Sequence, residues 1–190
     1  MSLDFVAISF ETANRSRSSA CALGMVKVTD GQVVEELSLK IKPKGADNIF
    51  DKRGTATHGM TAVDVADAPH WDEIASQVFG FIGDYPVAMH KKEFNVDVLL
   101  ALSDRSGLTY PRVKRFSTAK LAMWIIPGIE SNSLSKSVEA LAIDVDGLTH
   151  RNVTDDALMT ALVALKAAEK IDARTVVELT DRCQTALTSV

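Results

Sequence analysis

The chain has 190 residues, of which 46% are hydrophobic and 24% are charged, a composition typical of one globular domain and unlike that of a disordered chain. Its 25 acidic and 21 basic side chains give a net charge of −4, which excludes a protein that coats nucleic acid through overall charge but not a local basic groove. No apolar stretch is long enough to span a bilayer and no signal-peptide pattern opens the chain, so we expect a cytoplasmic protein without membrane insertion.

Three strands are predicted at the start of the chain. Apolar, β-rich runs indicate them at residues 5–10, 20–28 and 33–41. The turn residues Asp30-Gly31 predict a hairpin between the second and the third. Residues 42–68 then carry Pro and several Gly and are predicted to form a long functional loop. We expect one short helix within it, beginning at the capping-box-like pair Thr61 and Asp64.

Helices alternate with short strands in the rest of the chain. Apolar residues at helical spacing predict helices at residues 71–82, 96–102, 119–126, 134–141 and 155–171, with a last helical stripe through Val176, Leu179, Cys183 and Leu187. Short buried runs predict strands at residues 86–89 and 115–116. This order predicts an α/β domain with helices on both faces of a mixed sheet. We place the domain at residues 4–170 and treat residues 171–190 as a helical extension packed on it.

Three separated segments carry a pattern of chemical groups. Ser9-Phe10-Glu11-Thr12 ends the first strand, His90 to Asn95 follows the fourth, and His150 to Asp155 opens a long helix. With the segment Thr57-His58-Gly59-Met60-Thr61, they resemble the DEDDh family of 3′–5′ exonucleases, in particular those like the proofreading epsilon subunit of DNA polymerase III. The family's motifs are Asp-x-Glu, commonly His-Asn-x-x-Phe-Asp, and a His followed after four residues by Asp.

The resemblance implies a ribonuclease H-like fold with a five-stranded mixed sheet, and hydrolysis of DNA or RNA from the 3′ end. Such chemistry uses two Mg²⁺ or Mn²⁺ ions held by four acids. The match assigns Glu11 and Asp155 as metal ligands and His150 as the general base for water. The residues it places against the substrate are Thr12, His58, His90 and Lys91.

Several of these residues have a plainer alternative. For His58 and His90 the alternative is packing within a loop or the core. For His150 and Asp155 it is capping of the helix start, which needs no chemistry. Asp156 is interpreted as a first-turn acid favoured by the helix dipole.

Two of the four acids are replaced in this chain. Ser9 stands where the first Asp belongs, and Asn95 stands where the second motif has its Asp. Neutral oxygens cannot replace two anions in holding a second divalent ion, so we expect at most one weakly bound Mg²⁺ or Mn²⁺. Lys91 replaces the usual Asn and adds a cation. Asp97 does not substitute for Asn95, because two positions along a helix turn a side chain by about 200°.

The sequence therefore predicts an exonuclease-like protein that acts on or binds nucleic-acid 3′ ends, with impaired hydrolysis. The alternative is a noncatalytic module that binds nucleic acid, a nucleotide or a protein. Basic side chains available for phosphate contacts, or else for a solvated surface, are Arg15, Arg17, Lys91, Lys92, Arg112, Lys114 and Arg115. The sequence identifies no polymerase or other protein partner.

Overall fold

A mixed five-stranded sheet forms the centre of the computed structural model, which describes residues 2–109, 112–129, 133–150 and 152–189. The strands are β1 Phe5–Thr12, β2 Ala20–Thr29, β3 Gln32–Lys40, β4 Val87–Met89 and β5 Arg115–Ser117. Their order across the sheet is β3-β2-β1-β4-β5. The first three strands are antiparallel neighbours, whereas β4 runs parallel to β1 and β5 parallel to β4. The predicted mixed five-stranded sheet with flanking helices is confirmed.

The hairpin between β2 and β3 has the turn that its sequence predicts. Asp30 and Gly31 both have positive φ angles, 52° and 72°. This pair of left-handed residues matches the twist of two antiparallel strands, and Asp-Gly is among the few dipeptides that adopt it readily.

Seven helices are found among the described residues. They are α1 Lys52–His58, α2 Trp71–Ile82, α3 Lys92–Ser106, α4 Thr118–Ile125, α5 Leu134–Ala140, α6 Val153–Lys170 and α7 Val176–Arg182. Among these described segments, none is long and apolar enough to cross a membrane. The helix α3 begins four residues earlier than predicted, so that the second motif extends into its first turn.

The prediction of a helix that begins at Thr61 is wrong. The Asp64 carboxylate accepts hydrogen bonds from both the amide and the hydroxyl of Thr61, each at 2.7 Å. The backbone bonds that follow join residues three apart, so this segment is a series of turns. The helix in this region is α1, which begins after Asp51, whose side chain accepts from the amide of Gly54.

Helices cover both faces of the sheet. On one face, α2 and α3 bury an apolar cluster that includes Ile8 and Phe10 of β1. On the other face, α6 lays a row of alanines against β1 and β2. The helix α7 adds Val176 and Leu179 to this second cluster, and Thr188 forms a β-bridge with Arg115 at the β5 edge. The division at residue 170 stays a prediction.

The start of α6 lies directly against β2 at Gly24. A Cβ atom at Gly24 would lie 2.3 Å from the carbonyl oxygen of Val153 and 2.6 Å from the Cα of Thr154. Only a residue without a side chain permits this approach. Because Gly24 pairs with Ser9 of β1, the contact fixes the first turn of α6 beside the site described next.

Candidate active site

A cleft of about 340 Å³ opens where β1, the start of α3 and the start of α6 meet. We call it the carboxylate cleft. Its polar lining includes Ser9, Glu11, Thr57, His90, Lys91, Asn95, His150 and Asp156. Ser9 and Glu11 are two residues apart on one strand, so their side chains point to the same face of the sheet. The fold thus brings all three sequence motifs to one place.

Two carboxyl groups, one on β1 and one on α6, interact within this cleft. Burial, and secondly the charge of Asp156, raise the pKa of Glu11 to about 7. Burial also raises the pKa of Asp156, while the hydrogen bond from His150 and the ammonium of Lys91 act against that rise. The Nδ1 atom of His150 donates to Asp156 Oδ1 at 2.6 Å. A histidine and a lysine therefore partly offset the negative charge of the two acids.

The acid of the third motif that faces the cleft is Asp156, and the structure places Asp155 outside the lining. The Asp155 carboxylate instead accepts from the amide of Thr149 at 3.0 Å, while the cap of α6 is Asn152, whose side chain accepts from the amide of Thr154. Adjacent residues on a helix point about 100° apart, so only one of the two acids can face Glu11. The predicted pairing of Glu11 with Asp155 is corrected accordingly. Arg151, also within this motif, lies outside the described residues.

The two altered positions both line the cleft. Asn95 is buried, and its Nδ2 donates to the carbonyl oxygen of Lys91 at 3.1 Å. Its Oδ1 is buried and makes no hydrogen bond with the described residues. Asp97 lies away from the cleft and forms an ion pair with Arg17 at 3.7 Å, so it does not substitute for Asn95.

His58 does not line the cleft, although the sequence placed it against the substrate. Its Nδ1 accepts from the amide of Met60 at 3.1 Å, so its Nε2 carries the proton and donates to the carbonyl oxygen of Thr12 at 3.3 Å. Its ring packs edge-on against Phe50. Burial lowers the pKa of His58, which keeps it neutral. These contacts hold the end of α1 against the end of β1. This is the packing role that the sequence left open as the alternative for His58.

His90 and Thr12 lie where a substrate-binding role is feasible. His90 lines the cleft but is 5% exposed, and its Nδ1 is 2.9 Å from the hydroxyl oxygen of Thr118. Thr12 lines a second cavity of about 580 Å³ that adjoins the cleft. The two cavities share Glu11, Thr57, Lys91 and Phe94, so they lie side by side.

The second cavity is rich in cations, and we call it the basic groove. Its basic lining residues are Arg15, Arg17, Arg53 and Lys91. The guanidinium of Arg17 lies 4.4 Å from the centre of the Phe94 ring. Arg53 was missed from the sequence because residues 52–58, which form α1, were predicted to be part of a loop.

The other predicted phosphate contacts lie elsewhere. Lys92 donates to the hydroxyl of Thr188, and Arg115 is fully buried. Arg112 and Lys114 are exposed but do not line the groove.

Known proteins resemble this chain in sequence and in fold. The family model described as Exonuclease matches residues 6–164. The chain belongs to the exonuclease family. Its resemblance to the DEDDh 3′–5′ exonucleases is confirmed. The relatives of this exonuclease-family protein also indicate which branch of the family it resembles.

Two curated relatives are DNA polymerase III proteins. The DNA polymerase III subunit epsilon of Aquifex aeolicus is 25% identical over 169 residues, which cover 88% of this chain and 81% of that protein. The PolC-type DNA polymerase III of Thermotoga petrophila is 28% identical over 168 residues, or 87% of this chain and 12% of that protein. The chain spans less than a quarter of the length of the first curated relatives that it matches.

Solved structures have the same fold. Exonuclease X in complex with 5′ overhanging duplex DNA has a TM-score of 0.74 and 22% identity, with 94% of this chain and 99% of that chain covered. The nuclease domain of 3′hExo, a DEDDh family member bound to rAMP, has a TM-score of 0.76 and 16% identity, with 91% and 95% covered. These neighbours confirm the ribonuclease H-like fold.

Exonucleases of the DEDDh type generally use divalent metal ions. The side chains of this cleft do not fit a pair of them. Among the described residues, no three His, Cys, Asp or Glu side chains come together as metal ligands. Glu11 and Asp156 are the two acids that line the cleft, and Asp156 is already bonded to His150. Two divalent ions bring four positive charges, which two carboxylates cannot balance.

Proposed function

We propose that this exonuclease-family protein binds the 3′ end of DNA or RNA and hydrolyses it slowly or not at all. The basic groove would hold the strand, with the terminal phosphodiester at the carboxylate cleft. The observation that carries the impairment is the cleft lining, where neutral Ser9 and Asn95 stand beside Glu11 and Asp156. Asp156, rather than Asp155, takes the place of the third-motif acid in this proposal.

Charge and shape of the groove support nucleic-acid binding. Arg15, Arg17 and Arg53 are exposed and line the groove with Lys91, so four cations outnumber the two acids of the same lining, Glu11 and Asp51. Backbone phosphates are held chiefly by Arg and Lys in a salt-dependent way. The neighbouring structures include one with bound duplex DNA and one with a histone mRNA stem-loop, so the fold accommodates both polymers.

The remaining side chains support only part of the hydrolytic reaction. His150 uses Nδ1 to donate to Asp156, which leaves Nε2 free to accept a proton from water. The alkoxide that leaves the phosphorus also needs a nearby positive charge, and that part of the chemistry is weakest here. We therefore assign water activation to His150 and expect a low rate.

Binding is tested by fluorescence anisotropy with single-stranded DNA and RNA labelled at the 5′ end. Replacing Arg15 and Arg53 together with Ala should weaken binding of both polymers. The control is Lys166→Ala, which removes a half-buried lysine paired with Glu169 on α6, away from the groove. Absence of binding to either polymer by the unaltered protein would refute the proposal.

Hydrolysis is tested on the same oligonucleotides with Mg²⁺ and with Mn²⁺. We expect a turnover far below the value of about 10 s⁻¹ that is typical of enzymes. Glu11→Ala controls for contaminating nucleases, since a signal that survives this change does not come from the cleft. A turnover near the typical value that Glu11→Ala abolishes would contradict the proposed impairment.

A further inference from the structure

One ammonium group lies where the basic groove and the carboxylate cleft meet. Lys91 lines both cavities, whereas Arg15, Arg17 and Arg53 line the groove alone. We propose that Lys91 binds the terminal phosphodiester in place of a divalent ion, so that the protein holds nucleic-acid 3′ ends without Mg²⁺ or Mn²⁺. The inference rests on the proposed function and deepens it by naming the residue and the metal independence.

The cleft needs a cation if a phosphate is to enter. Glu11 and Asp156 both present carboxyl groups to it, and an ionised carboxylate repels a phosphodiester. His150 is already engaged, because its Nδ1 lies 2.6 Å from Asp156. Lys91 is exposed and its charge acts on Asp156, but it forms no ion pair within 4.0 Å with the described residues, so a phosphate can still approach its ammonium.

Asn95 positions Lys91. Both the backbone amide and the side-chain Nδ2 of Asn95 donate to the carbonyl oxygen of Lys91, at 3.2 and 3.1 Å. A carboxylate at position 95 could not make the second bond, because it has no hydrogen to donate. The amide that replaces the family's acid thus also holds the backbone from which the Lys91 side chain extends. Lys91 and Asn95, which both differ from the family pattern, are therefore in direct contact.

The test is the affinity for a 3′-hydroxyl single-stranded DNA oligonucleotide, measured by anisotropy in EDTA and in Mg²⁺ over a range of NaCl concentrations. The unaltered protein should bind equally well, within about twofold, in both solutions. Lys91→Gln should weaken binding in EDTA about fivefold at about 0.1 M NaCl and flatten the slope of log K against log [NaCl] by about 0.7, as expected for one lost phosphate contact. Lys91→Arg should restore both values.

Lys92→Gln is the matched control. It removes an equal charge at the next residue, whose side chain does not line the cleft. Binding by the unaltered protein that disappears in EDTA would overturn metal independence. An unchanged affinity and salt slope in Lys91→Gln, or an equal loss in Lys92→Gln, would overturn the role of Lys91. Failure of the unaltered protein to bind in either solution would instead refute the proposed function, so the two failures are distinguishable. Thermal melting shows whether each variant is folded. If Lys91→Gln is unfolded, Lys91→Arg tests the same contact.

Discussion

Adding one methyl group at Gly24 should move the start of α6 and with it Asp156. In Gly24→Ala the new Cβ would lie 2.3 Å from the carbonyl oxygen of Val153, whereas real Cβ atoms stay beyond 3.0 Å. The first turn of α6 must therefore retreat by about 0.7 Å. The atoms in the way are backbone atoms, which cannot rotate aside, so we expect the upper end of the usual overpacking cost, about 3 kcal/mol.

For a chain of this length, that loss lowers the melting midpoint by about 6–12 °C. The matched control is Gly80→Ala in the exposed interior of α2, where a new Cβ meets nothing within 4 Å. This change should stabilise the helix by about 0.5–1 kcal/mol. Differential scanning fluorimetry of the three proteins measures both the expected fall and the expected rise in the melting midpoint. A Gly24→Ala protein that melts with the unaltered one would refute the argument that this contact sets the position of α6.

Three further predictions concern the cleft. Ser9→Asp with Asn95→Asp should raise 3′ hydrolysis only when combined, because residues that act as a unit are not additive. In that background Asp156→Asn should abolish the gain, whereas Asp155→Asn should leave the gain in place, because an amide oxygen at position 155 can still accept from the amide of Thr149. Burial raises the pKa of Glu11 from its ordinary value of 4.5 to about 7, so its contribution to stability is present below pH 4.5 and is lost as pH rises through about 7. Relative to Glu11→Gln, the unaltered protein should therefore lose stability between about pH 5 and 7.5.

Each of these outcomes has a distinct check. Melting with and without Mn²⁺ separates a misfolded double variant from an inactive one, and metal should raise its midpoint more than that of the unaltered protein. A double variant that folds, responds to metal and leaves 3′ ends intact would show that more than Ser9 and Asn95 has diverged. Activity lost in Asp155→Asn and kept in Asp156→Asn would reverse the assignment of the third acid. Urea titrations in EDTA that give Glu11→Gln and the unaltered protein parallel pH profiles would contradict the raised pKa.

Local patterns were enough to predict most of the fold. The strands of the hairpin, the helices α2 and α6 and the turn at Asp30-Gly31 all follow from hydrophobic spacing and turn chemistry, which act over a few residues. The failed helix at Thr61 shows the limit of this approach. The same hydroxyl–carboxylate pair that begins a helix can also close an isolated turn, and the sequence alone does not separate the two.

The site depended on information that no local pattern contains. The choice between Asp155 and Asp156 is set by the rotation of α6 about its axis, which the contact at Gly24 fixes across more than a hundred residues of sequence. A glycine within a strand was the available signal, because it marks a close approach of another backbone. The position of His58 relative to the cleft was predicted incorrectly for a similar reason, since it depends on how α1 packs against β1. The motif residues Ser9 and Asn95 were placed correctly in the cleft because strand alternation and motif order locate them.

The order of the strands also bears on self-association in concentrated solution. At one side of the sheet, Thr188 bridges Arg115 and covers part of the β5 edge. At the other side, β3 presents an outer edge that could template a strand from another copy, and its Val33 and Val34 are exposed there. Glu35 and Glu36 follow them directly. Glu35 lies 3.4 Å from Lys27 of β2, and charged side chains on an edge strand, here including Glu36, disfavour pairing with another copy.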